Sequence, residues 1–400
     1  MNDLPRLTMR RSLVLLLAPL TLTAGSLLAQ QDYHMAKALR VLSSTPLIDG
    51  HNDLPWAIRT SEVAPHDVEA EAHDLRARTP FHTDIERLRA GRVGGQFWSV
   101  YIPFASTEEG AAKVQLEQID IALQVIDKYP DVFELALDAS DVQRIFASGK
   151  IASMMGMEGG HAIENSLGAL RAFYAMGVRY MTLTHNGSLD WADAANGEQM
   201  HGGLTDFGRE VVREMNRMGM LVDLSHTAPT TMNDALDVAR APVIWSHASA
   251  RGVWDHPRNV PDQVLRRLPD NGGAVMVTFV PSFVSEGDGA TIAEVVDHID
   301  HIANLAGVDH VGIGSDFDGI SFTPVGLEDV STFPALFAEL SRRGWSEEDL
   351  AKLAGENLLR VMNEAETVAR RLRRERAPSM ATIEQLDGGV SEDGASGDRD

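Results

Sequence analysis

The 400-residue chain contains no cysteine. This absence excludes disulfide bonds, thiolate zinc sites, iron–sulfur clusters and a cysteine nucleophile. Any metal ion that the chain binds must therefore be held by histidine and carboxylate side chains. Basic residues are also scarce, since 35 Lys and Arg stand against 58 Asp and Glu, for a net charge of -23. A surface this acidic repels phosphate groups, so we expect no binding to nucleic acid or to anionic membranes.

A long apolar run occurs only at the amino terminus. Arg10 and Arg11 precede the apolar stretch 12–29, which ends among small residues. This order is typical of a secretory signal peptide, and an uncleaved membrane anchor is the alternative. We assign residues 1–30 to a signal peptide, 31–374 to one catalytic domain and 375–400 to a disordered acidic tail. The mature protein is then periplasmic or extracellular, without a stable membrane anchor.

Between these ends, short apolar runs alternate with amphipathic stretches, which is typical of a parallel sheet built from βαβ units. The predicted strands are 46–51, 96–102, 151–158, 180–185, 220–226, 242–247, 274–279 and 310–316. Eight strands with intervening helices predict an α/β fold, a single (β/α)8 barrel of the TIM type. A doubly wound open sheet is the alternative.

Six of the eight predicted strands end in a side chain that can bind a metal ion or move a proton. These residues are His51, Glu158, His185, His226, His247 and Asp316. In a barrel, the carboxyl ends of the strands form one rim, and active sites are built there. Core packing does not require such residues at the ends of apolar strands, so we expect them to share a site.

Five residues form the predicted ligand set. Asp53 follows His51 by two positions, so both side chains can face one ion from an extended chain. His226 and His247 end successive strands with the same Ser-His pair. Glu158 is flanked by glycines, and its two carboxylate oxygens can bridge two cations. Without thiols, this set fits zinc best, with manganese and iron as chemical alternatives.

Metal ions with so few protein ligands keep open coordination positions for water or substrate, which is typical of catalytic metal sites. Two cations about 3.5–4 Å apart can hold a bridging hydroxide, so the predicted chemistry is hydrolysis. Asp316 is the predicted proton shuttle, and Asp318 is its rival. His185 is surplus to the ligand set and can stabilise an oxyanion. Arg258, in a proline-bounded loop, suits a substrate carboxylate.

Taken together, these motifs resemble the membrane (renal) dipeptidases, metallopeptidases within the amidohydrolase-like barrels. The matching segments, in family order, are 48–55 (IDGHNDLP), 156–159 (GMEG), 183–186 (LTHN), 223–226 (DLSH), 246–249 (SHAS), 258–261 (RNVP), 314–319 (GSDFDG) and 355–360 (GENLLR). The resemblance implies two zinc ions per chain, which hydrolyse the peptide bond of dipeptides. One ion is bound by His51 and Asp53, the other by His226 and His247, and Glu158 bridges them.

The resemblance further implies roles for three residues outside the ligand set. His185 would stabilise the oxyanion and contact the substrate, Arg258 would bind the substrate, and Asp316 would shuttle the proton. The family also accepts a D-residue at the carboxyl-terminal position of the dipeptide. The expected partner is a small peptide, and a homodimer is one possible assembly. Segment 278–283 resembles the family less closely, which leaves the side-chain preference open.

Two other functions stay open at this stage. The first is an amidohydrolase-like enzyme that uses the same metals to cleave N-acyl amino acids or lactones. The second is a non-catalytic protein of the cell envelope that binds metals or peptides. Asp316 and His185 argue against pure binding, because binding alone needs neither a proton shuttle nor an oxyanion donor.

Overall fold

The computed structural model describes Met1 and residues 21–108, 110–287 and 289–388. Within these residues, nine parallel strands form one sheet. They are β1 (Leu47–Asn52), β2 (Val93–Ser99), β3 (Phe133–Leu135), β4 (Ile151–Glu158), β5 (Val178–Thr182), β6 (Leu221–Asp223), β7 (Ile244–Ala248), β8 (Ala274–Val277) and β9 (Val311–Ile313).

Eight of these strands close into a barrel. Their order is β2-β1-β9-β8-β7-β6-β5-β4, and the pairing of β2 with β4 closes the ring. Strand β3 was not predicted; it pairs with the first residues of β4, next to the point where β5 takes over. The predicted (β/α)8 barrel is therefore confirmed. The alternative of an open sheet is wrong, because an open sheet would leave β2 and β4 as unpaired edges.

The strands are connected mainly by helices. The α-helices are α1 (Thr21–Ser44), α2 (Leu54–Arg59), α3 (Ile85–Ala90), α4 (Ala111–Lys128), α5 (Ala139–Ala147), α6 (Leu167–Ala175), α7 (Asp206–Met218), α8 (Pro229–Val238), α9 (Asp262–Leu265), α10 (Leu268–Asn271), α11 (Pro281–Val284), α12 (Ile292–Ala306), α13 (Phe333–Arg342), α14 (Glu347–Ala351), α15 (Asn357–Glu375) and α16 (Ile383–Leu386). A π-helical segment, Lys352–Glu356, joins α14 to α15. Short 3-10 helices occupy Glu71–His73, Phe104–Glu108, Gly160–Ile163, Val308–His310 and Val330–Thr332.

Helix α7 shows how the sequence sets such an element. The Thr205 side chain accepts a hydrogen bond from the Gly208 N–H and caps the amino terminus. Phe207 and Val211 are buried on one face, as the helical period predicts. The helix ends at Gly219, whose φ of 89° lies in the left-handed region that glycine adopts without steric cost.

Two buried aspartates end strands earlier than the apolar pattern predicts. Asp223 Oδ1 accepts the N–H of Ser225 at 3.0 Å and that of Ser246 at 2.8 Å. Asp49 Oδ1 accepts the N–H of Ser315 at 2.7 Å. These carboxylates replace the carbonyl partners of a regular ladder, so the chain leaves the sheet. Consequently β6 and β9 stop at residues 223 and 313, not at the predicted 226 and 316.

The predicted signal peptide and tail fall at the ends of the described chain. Residues 2–20 and 389–400 lie outside the described residues, so those parts stay predictions. Residues 21–30 belong to α1. The tail does not begin at residue 375, because Asp387 accepts hydrogen bonds from the Thr205 hydroxyl at 2.7 Å and the Phe207 N–H at 3.1 Å. In the described part of the chain, every helix is too short or too polar to cross a membrane.

Candidate metal centre and active site

The rim at the carboxyl ends of the strands gathers the six predicted strand-end residues. His51 lies in β1, Glu158 is the last residue of β4, and His247 lies in β7. Three others lie in loops, each three positions beyond the end of β5, β6 or β9: His185, His226 and Asp316. The sequence therefore predicted the correct rim, although three of these side chains reach it from loops.

The first donor cluster surrounds the ring of His51. Its Nε2 atom lies 3.3 Å from Asp53 Oδ2, 3.5 Å from Glu158 Oε2 and 3.9 Å from Asp316 Oδ1. All four side chains are at least 85% buried, since the most exposed, Asp316, retains 15%. One imidazole nitrogen and three carboxylates thus converge on a small, dry volume.

The second donor cluster surrounds the other oxygen of Glu158. Oε1 lies 3.0 Å from His226 Nε2, 3.3 Å from His247 Nε2 and 3.7 Å from His185 Nε2. The Nε2 atoms of His226 and His247 are 3.0 Å apart. The ring of His247 also approaches that of His51, with 3.9 Å between their centres. Glu158 therefore faces one cluster with each carboxylate oxygen, which is the arrangement that a bridging ligand requires.

These donors fit metal ions. Ligand atoms lie within 4.8 Å of one another in three groups: His51, Glu158 and His247; Glu158, His185 and His226; His51, Asp53 and Asp316. Among the described residues, His51 Nε2 and Asp53 Oδ1 are buried without a hydrogen-bond partner. Orphaned buried polar atoms are costly unless a ligand satisfies them. Imidazole nitrogen and carboxylate oxygen are ligands that zinc accepts.

The charges of His226, His247 and Glu158 are compatible with the binding of metal ions. Burial lowers the pKa of His226 and of His247 well below the usual histidine value, so both rings are neutral and can offer a lone pair. Burial acts to raise the pKa of Glu158, but the neighbouring histidines outweigh it and lower that pKa. Burial, together with the charges of Asp53 and Glu158, raises the pKa of Asp316 well above the usual range.

Both clusters open into a cavity of about 380 Å³. Its polar lining includes Asp53, Glu158, His185, His226, Arg258 and Asp316. Its apolar wall comprises Trp56, Tyr101, Val280, Phe283 and Ile320. This volume lies in the range of small-molecule sites, which combine an apolar wall with a few placed polar groups.

Arg258 brings to this cavity a positive charge that no described residue hydrogen-bonds. Its side chain is buried, and its three guanidinium nitrogens have no hydrogen-bond partner among the described residues. The guanidinium carbon lies 5.2 Å from the centre of the Phe283 ring. Burial lowers the pKa of Arg258 to about 10, which leaves the group charged at neutral pH. A buried cation without a partner is costly, so the site favours an anionic group on its ligand.

The other predicted catalytic residues, His185, Asp316 and Asp318, differ in whether they border the cavity. The ring of His185 lies 4.2 Å from that of His226, centre to centre, and borders the cavity. Asp316 also lines the cavity. The carboxylate of Asp318 accepts the backbone N–H of His82 at 2.6 Å, and Asp318 is not part of the cavity lining. Asp316 therefore borders the cavity, and its rival Asp318 does not.

The hydroxyl groups that contact the predicted histidine ligands from the far side of their rings were not among the residues predicted from the sequence. Tyr180 Oη lies 2.8 Å from His51 Nδ1, and Ser246 Oγ lies 2.9 Å from His247 Nδ1. The Ser246 hydroxyl group donates to Asp223. The position of Asp223 could have been inferred from the sequence, because an aspartate two positions before a serine often accepts the N–H of that serine in an Asx turn. No comparable signal marks Tyr180, since a tyrosine in an apolar strand is typical of a core residue.

Residues 35–376 match the model of a protein family described as membrane dipeptidase, peptidase family M19. The match spans every strand of the barrel and every residue of the two donor clusters. The chain belongs to the membrane dipeptidase family. The resemblance inferred from the motifs is thereby confirmed.

One relative and two solved structures are similar to this chain. Dipeptidase verJ of Clonostachys rogersoniana is 44% identical over an alignment of 359 residues, and the match covers 87% of this chain and 91% of the relative. The crystal structure of the probable dipeptidase PvdM from Pseudomonas aeruginosa matches with a TM-score of 0.77 at 23% identity, over 84% of this chain and 100% of that one. A metallo peptidase from Rhodobacter sphaeroides, liganded with a phosphinate mimic of the dipeptide L-Ala-D-Ala, matches with a TM-score of 0.72 at 27% identity, over 80% of this chain and 99% of that one.

As a membrane dipeptidase, the protein is a hydrolase of the metallopeptidase class, and its substrates are small peptides. The predictions of a dipeptidase, of a metal-dependent enzyme and of the barrel are confirmed. The zinc ions, their number and the role of each site residue stay predictions, and they are taken up below.

Proposed function

We propose that this membrane dipeptidase hydrolyses dipeptides with two zinc ions per chain, including dipeptides with a D-residue at the carboxyl terminus. One observation carries the proposal: a single cavity is lined by members of both donor clusters, by Glu158, which joins them, and by Arg258, whose guanidinium group has no hydrogen-bond partner among the described residues. The clusters favour a pair of cations, and the guanidinium favours a carboxylate. A dipeptide has a carboxylate one residue away from its only peptide bond.

Five side chains would hold the ions. His51 and Asp53 with Glu158 Oε2 fit one ion, and His226 and His247 with Glu158 Oε1 fit the other. When bound, two zinc ions would polarise a carbonyl group and lower the pKa of water towards neutrality. His226 and His247 are neutral, so no proton has to leave these two rings before an ion binds. Burial acts to lower the pKa of His51, but Tyr180, Asp53 and Glu158 outweigh it and raise that pKa, so an ion would displace a proton from this ring.

The remaining residues would act on the substrate directly. Arg258 binds the terminal carboxylate, because its planar fork can donate two parallel hydrogen bonds to it. His185 donates a hydrogen bond to the carbonyl oxygen as negative charge develops there. Asp316, whose raised pKa suits proton uptake, takes a proton from the attacking water and passes it to the leaving amine. The L-Ala-D-Ala mimic named with the Rhodobacter sphaeroides structure supports the D-residue.

Metal analysis of the purified protein, combined with a dipeptide library of L,L and L,D members, tests the proposal. We expect two zinc ions per chain and cleavage of members from both sets. Hydrolysis of N-acyl amino acids or lactones without cleavage of any dipeptide would contradict the proposal and favour the alternative amidohydrolase reaction.

Arg258→Ala tests the role of the guanidinium. We expect KM to rise by roughly 30-fold or more, with a smaller change in kcat, because loss of one partner of a buried charge pair costs about 2–5 kcal/mol. Dipeptide amides lack the carboxylate, so their already weak hydrolysis should barely change. Arg266→Ala is the matched control, since that side chain is 59% exposed on the outer surface. An Arg258→Ala effect confined to kcat would contradict carboxylate binding.

A further inference from the structure

Hydroxyl groups hold two of the metal-facing histidine rings from behind. His51 Nδ1 lies 2.8 Å from the Tyr180 hydroxyl, and His247 Nδ1 lies 2.9 Å from the Ser246 hydroxyl. All four side chains are buried, so water does not compete for these hydrogen bonds. By contrast, His226 Nδ1 is buried without a partner among the described residues. The proposed function gives these hydroxyl groups no role.

Asp223 fixes the direction of the Ser246 hydrogen bond. Its Oδ1 atom accepts two backbone N–H groups, from Ser225 and Ser246, and its Oδ2 atom accepts the hydroxyl groups of Thr182 and Ser246. Both oxygens of the Asp223 carboxylate act as acceptors, so the two hydroxyl groups donate to it. The Ser246 proton therefore points to Asp223, at 2.6 Å, and the Ser246 oxygen accepts Nδ1–H from His247.

The Tyr180 hydroxyl group likewise donates its proton to another group and accepts a hydrogen bond from its histidine. It donates to the carbonyl oxygen of Gly50 at 3.2 Å, so its oxygen accepts Nδ1–H from His51. The tyrosine ring lies across Gly156 in β4, where an added Cβ would come within 1.9 Å of the ring. Gly156 therefore leaves the space that this tyrosine needs.

With an ion bound, both rings would therefore keep their proton on Nδ1, and the lone pair of Nε2 would face the donor clusters. A neutral histidine binds a metal only through its unprotonated nitrogen, and the partner of the other nitrogen selects which one that is. We propose that Tyr180, and Asp223 acting through Ser246, are positioning residues that fix the tautomers of His51 and His247 for metal binding. This inference rests on the proposed function, because it requires ions at the predicted ligands.

Asp223→Asn is the sharpest test, because it keeps the shape and reverses one hydrogen bond. The amide oxygen must face the two backbone N–H groups, so the amide nitrogen faces the hydroxyl groups. Ser246 then accepts from the amide and turns its proton to His247 Nδ1. The ring is forced to carry its proton on Nε2, facing the metal. We expect roughly 10–100-fold weaker binding of one zinc ion, the range found when the partner of a metal ligand is removed.

Tyr180→Phe and Ser246→Ala remove the hydroxyl groups themselves. We expect losses in the same range of roughly 10–100-fold, with Tyr180→Phe acting on the half of the centre that contains His51. Two matched controls are available: in Tyr129→Phe, a buried hydroxyl bonded to Asp74 is lost, and in Ser341→Ala, a buried hydroxyl 2.8 Å from the ring nitrogen of His34 is lost. Neither control residue belongs to the donor clusters or the cavity lining.

Two measurements test the inference. The first is the number of zinc ions bound per chain in a series of buffers with increasing concentrations of free zinc. The second is the Tm of thermal unfolding, measured with zinc and with chelator. The three site variants should lose part of the zinc-induced rise in Tm, while their Tm in chelator stays near that of the parent. Zinc affinity equal to the parent in all three variants would overturn the inference, even if the parent binds two ions and cleaves dipeptides. Equal losses in the two controls would also overturn it. A parent protein that binds no zinc would instead overturn the proposed function.

Discussion

Asp316 has a strained backbone conformation, and neighbouring residues fix its position. Its φ of 67° lies in the left-handed region, which residues other than glycine seldom adopt. Its N–H donates to the His51 carbonyl at 3.1 Å, which ties the loop to β1. At Gly319, an added Cβ would lie 2.8 Å from Asp316 Oδ1. Such strain persists where the surroundings fix a conformation, and it concentrates at functional sites.

Asp316→Asn should therefore reduce kcat by roughly 10²–10⁴-fold, because the amide cannot accept and return a proton. Zinc per chain, measured on the same preparation, should stay at the parent value. Asp318→Asn is the matched control, since its carboxylate is bound to the backbone of His82. Loss of zinc from Asp316→Asn would make Asp316 a ligand, and an unchanged rate would contradict its role as a proton shuttle.

Among single residues, sequence reasoning predicted which side chains lie close together where that proximity follows from position along a strand. His51 and Glu158 come together because carboxyl ends of parallel strands meet at one rim, a property of the fold class. Tyr180 could not be found in this way. Its hydroxyl reaches His51 across 129 positions of sequence, and only the closed barrel determines which strands face each other.

At the scale of elements, the eight barrel strands were predicted because buried parallel strands form long apolar runs. Their ends were less accurate, since buried carboxylates such as Asp223 stop the ladder while the apolar run continues. Strand β3 has three residues, too few to show any period. Helices α9 and α10 do not join into one helix, because Pro269 in the first turn of α10 has no N–H with which to continue α9.

The segment after α15 is an element that the composition alone misassigned. Asp387→Ala should lower the free energy of unfolding by about 1 kcal/mol, since its carboxylate satisfies the first turn of α7. The value of kcat should not change, because α7 packs on the outside of the barrel. Denaturant unfolding and steady-state kinetics measure the two effects. Glu384→Ala, an exposed carboxylate in α16, is the control, and an equal loss there would contradict the capping role.

At the scale of the whole molecule, burial of histidine makes stability depend on pH. Burial lowers the pKa of these rings: His161, His185, His226, His247 and His298. The unfolded chain takes up protons near pH 6.5, whereas the folded chain does not until the lower pKa is reached. Their contribution to stability is therefore complete above about pH 6.5 and is lost as the pH falls towards the folded value.

His161 gives this effect a measurable size, because its pKa is lowered to about 4. The difference from 6.5 corresponds to about 3 kcal/mol, which should be lost between pH 6.5 and pH 4. In chelator, Tm should fall over this range in the parent and less steeply in His161→Gln. His66→Asn changes an exposed histidine at positive φ and should follow the parent. Equal slopes in the parent and His161→Gln would contradict the assignment.

The bond between Asp49 and Ser315 joins positions 266 residues apart, the first barrel strand and the loop after the last. During synthesis, the chain therefore contains every proposed zinc ligand well before the last strand is made and the barrel can close. Until then Asp49 lacks two of its donors, and Asp316, the proposed proton shuttle, has not been synthesised. We therefore expect fragments that end before residue 316 not to cleave peptides, so that an unfinished copy of the chain would be inert.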